Sequence, residues 1–197
     1  MNTDEFISLG HSCVCKHIIN THSLSENSYP LDWLECSNEC LLKCIQENFN
    51  GFMEDVFING HNGEKLRLSC KKYKELTSIH DVKCESEIPE FKIKMKRRVE
   101  RWNNMMNSES DNNFIRLENF LKVDVEFINN LYDVIMKKRT GAFKFFLLTN
   151  SENITPEKKE KLNSNIKVHM IPKLEWHHVK TEITLLDFIK TNKNYNG

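Results

Sequence analysis

The sequence has no long apolar run and little glycine or proline, with 6 and 4 of these residues among 197. A membrane span needs roughly 18 to 20 consecutive apolar residues, which argues against an integral membrane protein. The first ten residues, MNTDEFISLG, also lack the basic start and apolar stretch of a signal peptide. The sequence therefore predicts a cytoplasmic protein with no membrane partner.

Linkers rich in proline, glycine or serine are absent as well, and there is no internal repeat. A chain of this length suits a single compact domain. We expect one α/β domain over residues 1–190. The Lys/Asn-rich residues 191–197 are expected to form a disordered tail.

The chain carries no excess charge of either sign, since Lys+Arg and Asp+Glu both number 28. No overall field would then attract a nucleic acid or an anionic membrane. Seven cysteines are an odd count, and without an export signal they are expected to be free thiols, mostly in the core.

Two cysteine-rich segments raise the question of a metal site. The segment HSCVCKH (11–17) crowds four potential ligands together, but it lacks the separated ligand pairs of a zinc site. Cys36, Cys40 and Cys44 recur every four residues, which fits a packing stripe on a helix better than an incomplete ligand set. We therefore expect no metal and no cofactor.

Apolar stretches alternate with amphipathic ones along the chain, and this alternation predicts βαβ units. We predict strands at 6–9, 114–117, 143–148 and 166–171, and helices that follow residue 13 and lie at 37–51, 90–106, 125–138 and 156–162. The pattern in residues 51–75 does not assign a structure. The predicted fold is a single three-layer αβα domain with a mostly parallel sheet.

In such sheets, ligands bind at the carboxyl ends of the strands. Residues 10–13, 116–119 and 149–152 follow three of the predicted strands and should meet at that edge. Cys13 lies there at the first turn of a helix, whose N–H groups can lower a thiol pKa and stabilise an oxyanion. A small buried cysteine is the alternative that the spacing leaves open.

Two basic features allow a functional or a structural interpretation. Arg116 ends a predicted strand at the edge that carries Cys13, where it could bind a carboxylate or a phosphate, or form a structural ion pair. One predicted helix carries the basic run Lys94, Lys96, Arg97, Arg98 and Arg101, and such a run is usually a solvated face. No aromatic platform accompanies it, so nucleic acid is not the expected partner.

Six segments together resemble the papain-like cysteine peptidase family of unknown function known as DUF1796. They are FISLGHSC (6–13), SYPLDW (28–33), NFNGF (48–52), IHD (79–81), KMKRRVER (94–101) and FIR (114–116). The resemblance covers about residues 6 to 117. It departs at Leu31, where the family usually has phenylalanine.

This resemblance implies a Cys/His hydrolase or acyl transferase that acts on a peptide, amide or acyl substrate. Cys13 would be the nucleophile and His80 the general base, oriented by Asp81 or Asp32. It also implies a papain-like α+β core as an alternative to the predicted αβα fold.

Several assignments around the thiol stay open. His11, two residues from Cys13, is a rival base, and His11, Ser12, Trp33 and Arg116 are candidate substrate contacts. Asp32 could instead cap a turn, with Trp33 in the core. A ligand-binding module without turnover and an interaction protein with a basic helix are the alternatives to an enzyme.

Overall fold

The computed structural model describes residues 5–10, 13–21 and 23–173. Within them, the strands are β1 (Glu5–Ser8), β2 (Leu34–Glu35), β3 (Val56–Asn62), β4 (Lys65–Cys70), β5 (Thr77–Val82), β6 (Asn112–Glu118), β7 (Phe143–Thr149) and β8 (Ile166–Met170). The helices are α1 (Cys13–Thr21), α2 (Asn38–Gln46), α3 (Ile88–Met106), α4 (Val125–Lys138) and α5 (Pro156–Glu160). A short 3₁₀ helix (Glu85–Glu87) precedes α3.

Four strands form a parallel sheet in the order β1-β6-β7-β8. Its register aligns Ile7 with Phe114, Phe114 with Phe145, and Phe145 with Ile166. These side chains are almost fully buried because helices cover the sheet on both faces. The predicted α/β fold with a parallel sheet is confirmed.

The two faces of this sheet belong to two apolar clusters. On one face, Phe6, Ile115 and Phe146 pack with Ile18 and Ile19 of α1. On the other face, the neighbouring residues of the strands pack with α2, α3 and α4. Side chains alternate between the faces along a strand, so the sheet forms the middle of three layers.

Trp102 lies at the centre of the larger cluster. Its indole contacts the rings of Tyr29, Phe49 and Phe114, with centroids 5.3 to 6.4 Å apart. This one side chain therefore joins α3 to the parallel sheet and to the segments that flank α2.

A second, antiparallel sheet has the order β2-β5-β4-β3 and was not predicted. It includes most of residues 51–75, which the sequence pattern left unassigned. β3 is exposed or half-buried along its whole length, so it lacks the apolar alternation that marks a half-buried strand. Leu66, Leu68 and Cys70 of β4 point into the larger cluster and attach this sheet to it.

The helix boundaries follow local capping. The Ser37 hydroxyl accepts a hydrogen bond from the Cys40 N–H at 3.2 Å, so Ser37 is the N-cap of α2. The Asp124 carboxylate accepts from the Phe127 N–H at 3.1 Å and starts α4 at the predicted residue. α2 ends at Gln46, earlier than expected, and several residues with positive φ follow it, including Asn48 and Phe49.

No helix in the described ranges is both long enough and apolar enough to cross a membrane. The predicted tail, residues 191–197, lies outside the described residues. The extent of the domain, 1–190, stays a prediction.

Candidate active site

Cys13 begins α1, five residues after β1 ends at Ser8. Between them, Gly10 has a φ of +74°, a left-handed conformation that suits glycine. A Cβ added to Gly10 would lie 3.5 Å from the side chains of Leu31 and Leu41. Gly10 therefore packs against the segment 28–33 and against α2. His11 and Ser12, the predicted rival base and substrate contact, lie outside the described residues.

The electrostatic surroundings of Cys13 differ from those expected of a helix start alone. Burial raises the pKa of the half-buried Cys13 thiol, its own backbone N–H lowers the pKa, and the Glu35 carboxylate raises it further. The net direction is upward, because burial outweighs the effect of the N–H group. Glu35 itself pairs with Arg67 at 2.8 Å.

Trp33 and His80 are in contact with each other. Their rings meet edge to face, with centroids 6.5 Å apart. β2 pairs with β5 through Leu34 and Ser78, which brings the residues that flank this pair together. Trp33 has a φ of +68°, an uncommon conformation for a bulky residue, and such strain is concentrated at functional sites. His80 is exposed and Trp33 is half-buried.

Asp81 is held by groups other than an imidazole. Its Oδ2 accepts a hydrogen bond from the Ser78 hydroxyl at 2.6 Å, and its Oδ1 pairs with the Lys94 ammonium at 2.5 Å. The ion pair with Lys94 ties β5 to α3. An orienting role of Asp81 toward His80 therefore stays a prediction with no contact to support it.

Asp32 is almost fully buried and pairs with Lys16 of α1 at 3.3 Å. Its Oδ2 also accepts from the Tyr29 N–H at 2.9 Å, and its own N–H donates to the Tyr29 carbonyl, as in an Asp-capped turn. Burial raises its pKa, while Lys16, the Tyr29 N–H and Arg98 lower it. The contacts favour the structural alternative that the sequence left open for Asp32.

The basic run of α3 is divided between two faces. Lys94, Arg98 and Arg101 lie at i, i+4 and i+7, on one side of the helix. Lys94 pairs with Asp81, Arg98 donates to the Asp32 carbonyl at 3.2 Å, and Arg101 donates to the Ser28 carbonyl. The interpretation of the whole run as a solvated face is therefore wrong. Arg98 and Arg101 bind carbonyl groups of the same domain, so they are less available to a partner that binds α3.

Arg116 is fully buried on β6. Its guanidinium pairs with Glu118 at 2.7 Å and donates to the Leu9 carbonyl at 2.8 Å and to Asn38 Oδ1 at 2.7 Å. It also lies over the Phe127 ring. These bonds engage the head group from several sides, which favours a structural ion pair over contact with a substrate.

Comparison with known families gives a match over most of the chain. The family described as "Putative papain-like cysteine peptidase (DUF1796)" matches residues 4–149. The chain belongs to this family. The matched range runs from β1 to the end of β7 and includes Cys13, the segment 28–33, His80 and Asp81. Searches of curated proteins and of solved structures gave no match.

A cleft of about 740 Å³ opens in this papain-like domain at the carboxyl edge of the parallel sheet. It lies between the start of α2 and the loop from β6 to α4. Its lining includes Cys36, Asn38, Leu121, Asp124 and Phe127. Cys36, which lines the cleft, directly follows Glu35 in the chain, and the Glu35 carboxylate raises the pKa of the Cys13 thiol. Sequence reasoning placed a site at this edge, but the predicted site residues Cys13, His80 and Arg116 do not line this cleft.

Proposed function

We propose that the protein is a cysteine-dependent acyl hydrolase or acyl transferase, with Cys13 as nucleophile and His80 as general base. The observation that carries this proposal is the position of Cys13 at a helix start on the carboxyl edge of the sheet. Membership of the papain-like family supports the same chemistry. The ring contact between Trp33 and His80 brings two of the candidate site residues together.

The raised pKa of Cys13 bears on how the thiol would react. A thiol that is protonated at rest needs a base that removes its proton as the sulfur attacks. In the proposed step, the proton passes to the imidazole, the sulfur bonds to the acyl carbon, and the carbonyl oxygen becomes an oxyanion. Free N–H groups in the first turn of α1 would stabilise that charge.

The intermediate then collapses to a thioester. The imidazolium gives its proton to the leaving amine or alcohol, which departs with its bonding electrons. Attack by water on the thioester gives hydrolysis, whereas attack by a second amine or alcohol gives transfer. The cleft between α2 and α4 is the proposed place for the substrate, because it is large and adjoins this sheet edge.

A chromogenic ester tests the nucleophile. p-Nitrophenyl acetate releases p-nitrophenol when a thiol takes its acetyl group, and the adduct adds one acetyl mass to the protein. We expect a single acetyl group on Cys13 and none in Cys13→Ala. Cys84→Ser is the matched control, because Cys84 is an exposed thiol far along the chain. Equal slow labelling of all seven cysteines would refute the proposal.

The base is tested by the pH dependence of alkylation. We expect the rate at Cys13 to rise with pH through an imidazole titration, and His80→Gln to lose that step and slow the reaction by about 10²-fold or more. His11→Gln is the comparison. If His11→Gln loses the step and His80→Gln keeps it, His11 is the base and the role of His80 is wrong.

The raised Cys13 pKa also favours a second candidate, a ligand-binding module on the same fold. That candidate predicts no acetyl transfer in any variant. A ligand of the cleft would then bind Cys13→Ala as tightly as the wild type.

A further inference from the structure

Three cysteines, Cys36, Cys40 and Cys44, lie at or within α2 and are spaced one helical turn apart. Cys36 precedes the N-cap Ser37 and is half-buried, whereas Cys40 and Cys44 lie within the helix. Cys44 is completely buried and fits the predicted packing stripe. Cys40 keeps 9% of its surface exposed, so the three residues are not equivalent.

Cys40 opens into a second cavity of about 360 Å³. Lys43, Lys72 and Lys74 also line this cavity. The three ammonium groups face the two carboxylates of Glu39 and Glu75, so positive charge is in slight excess, and the opening leaves room for a small reagent. The cavity adjoins the larger cleft, since Glu39 and Glu75 line both.

The thiols also act on one another. Hydrogen bonds from Cys36 and from Cys44 lower the pKa of Cys40, burial opposes this effect, and Lys43 lowers the pKa further. The hydrogen bond to Cys40, followed by burial, raises the pKa of Cys36 and of Cys44. These effects favour ionisation of Cys40 over ionisation of its two neighbours. In the described ranges, no three His, Cys, Asp or Glu side chains are placed to hold a metal ion.

Only one neighbour of Cys40 is free to form a bond with it. Within a helix, side chains four residues apart have Cβ atoms about 5–6 Å apart, whereas a disulfide requires about 3.5–4.5 Å. This spacing separates Cys40 from Cys44 while the helix is intact. Cys36 lies outside α2, directly after the two-residue strand β2, and can move toward Cys40 without breaking helical hydrogen bonds.

We propose that Cys40 and Cys36 form a peroxide-sensitive dithiol, a modification site separate from Cys13. The Cys40 thiolate attacks one oxygen of hydrogen peroxide, the O–O bond breaks, and hydroxide leaves and takes a proton from solvent. Cys40 is thereby oxidised to a sulfenic acid and the peroxide is reduced to water. The Cys36 sulfur then loses its proton and attacks the Cys40 sulfur, which releases the S–OH oxygen as a second water and leaves a disulfide.

Tryptic digestion can distinguish the two possible disulfides. Trypsin cuts after Lys16 and Lys43, so Cys36 and Cys40 share the peptide 17–43, whereas Cys44 falls on the peptide 44–65. The protein is treated with hydrogen peroxide, and the remaining thiols are blocked with iodoacetamide before digestion. Cys13→Ser/Cys84→Ser is the background, because it removes the other two thiols that are not buried.

We expect the peptide 17–43 to lose two hydrogens, to carry no alkyl group, and to recover both alkylation sites after dithiothreitol. In Cys36→Ser, dimedone should trap the sulfenic acid on Cys40. Cys40→Ala should leave Cys36 fully alkylated, with an unchanged far-UV circular dichroism spectrum as the control for folding. Full alkylation of Cys36 and Cys40 after peroxide would overturn the proposal. A cross-link between the peptides 17–43 and 44–65 would also overturn it.

Discussion

Replacing Lys16 by methionine tests the ion pair that lies under the segment 28–33. Lys16 and Asp32 are both almost fully buried, with 2% and 1% of their side chains exposed. The Lys16 ammonium also donates to the Asn27 carbonyl. Methionine fills similar space but leaves the Asp32 carboxylate as a buried charge without its cation.

The expected loss follows from that charge. Breaking a buried pair by removing one partner typically costs about 3–5 kcal/mol. Folded domains are stable by only about 5–15 kcal/mol, so Lys16→Met should lose a large part of the free energy of unfolding. The double variant Lys16→Met/Asp32→Asn should regain most of it, because the amide that replaces the carboxylate carries no charge and can still accept the Tyr29 N–H.

The loss should also depend on pH. Burial already raises the pKa of Asp32, and removal of Lys16 takes away a group that lowers it. A carboxyl group whose pKa is higher in the folded state binds more protons there, so stability falls as the pH rises through that window. The deficit of Lys16→Met should therefore be largest at neutral pH. It should shrink as the pH falls toward 3.8, the ordinary value for aspartate.

Urea unfolding followed by far-UV circular dichroism measures these differences at pH 7 and at pH 5. Lys137→Met is the matched control, because Lys137 is exposed near the end of α4 and its loss should change stability by less than about 0.5 kcal/mol. A loss below about 1 kcal/mol in Lys16→Met would refute the reasoning. A deficit that grows on acidification would refute it as well.

Two further predictions concern the turn and the edge that carry Cys13. Gly10→Ala should cost about 1–2 kcal/mol through its positive φ, and Gly10→Asn should cost less because asparagine tolerates this conformation; thermal unfolding compares the two. An equal loss in both variants would point to crowding. Arg116→Lys should lower the urea midpoint by an amount equivalent to about 2–3 kcal/mol, because one ammonium cannot replace the planar bonds to Glu118, Leu9 and Asn38. An unchanged midpoint would contradict this structural role.

The parallel half of the fold could be predicted because its strands are buried on both faces. β7, with the sequence FKFFLLT, is an apolar run that no surface strand would carry. α4 was predicted correctly at both ends, because Asp124 marks its start and its apolar spacing is regular. The antiparallel sheet was missed because its outer strand β3 is polar and exposed, so tertiary pairing defines it.

The candidate site was predictable only in part. The position of Cys13 followed from a strand, a glycine and a helix that adjoin in sequence. The contact between Trp33 and His80 depends on the pairing of β2 with β5, which spans more than forty residues. Nothing in the pattern around Lys16 indicates that this lysine is buried, so the ion pair with Asp32 was also missed. Helical spacing of Lys94, Arg98 and Arg101 was the available signal for an inward basic face.

The order of the parallel strands has a consequence for how this domain can change. β1 and β6 are neighbours in the sheet, yet the whole antiparallel sheet lies between them in the chain. The chain leaves the parallel sheet after β1, forms the antiparallel sheet, and returns to the parallel sheet through α3. Loops such as the β3–β4 hairpin can therefore vary in length or sequence while the pairing of β6, β7 and β8 is preserved. We expect relatives to differ in the length and sequence of this hairpin, because none of the segments that resemble the family lies in it.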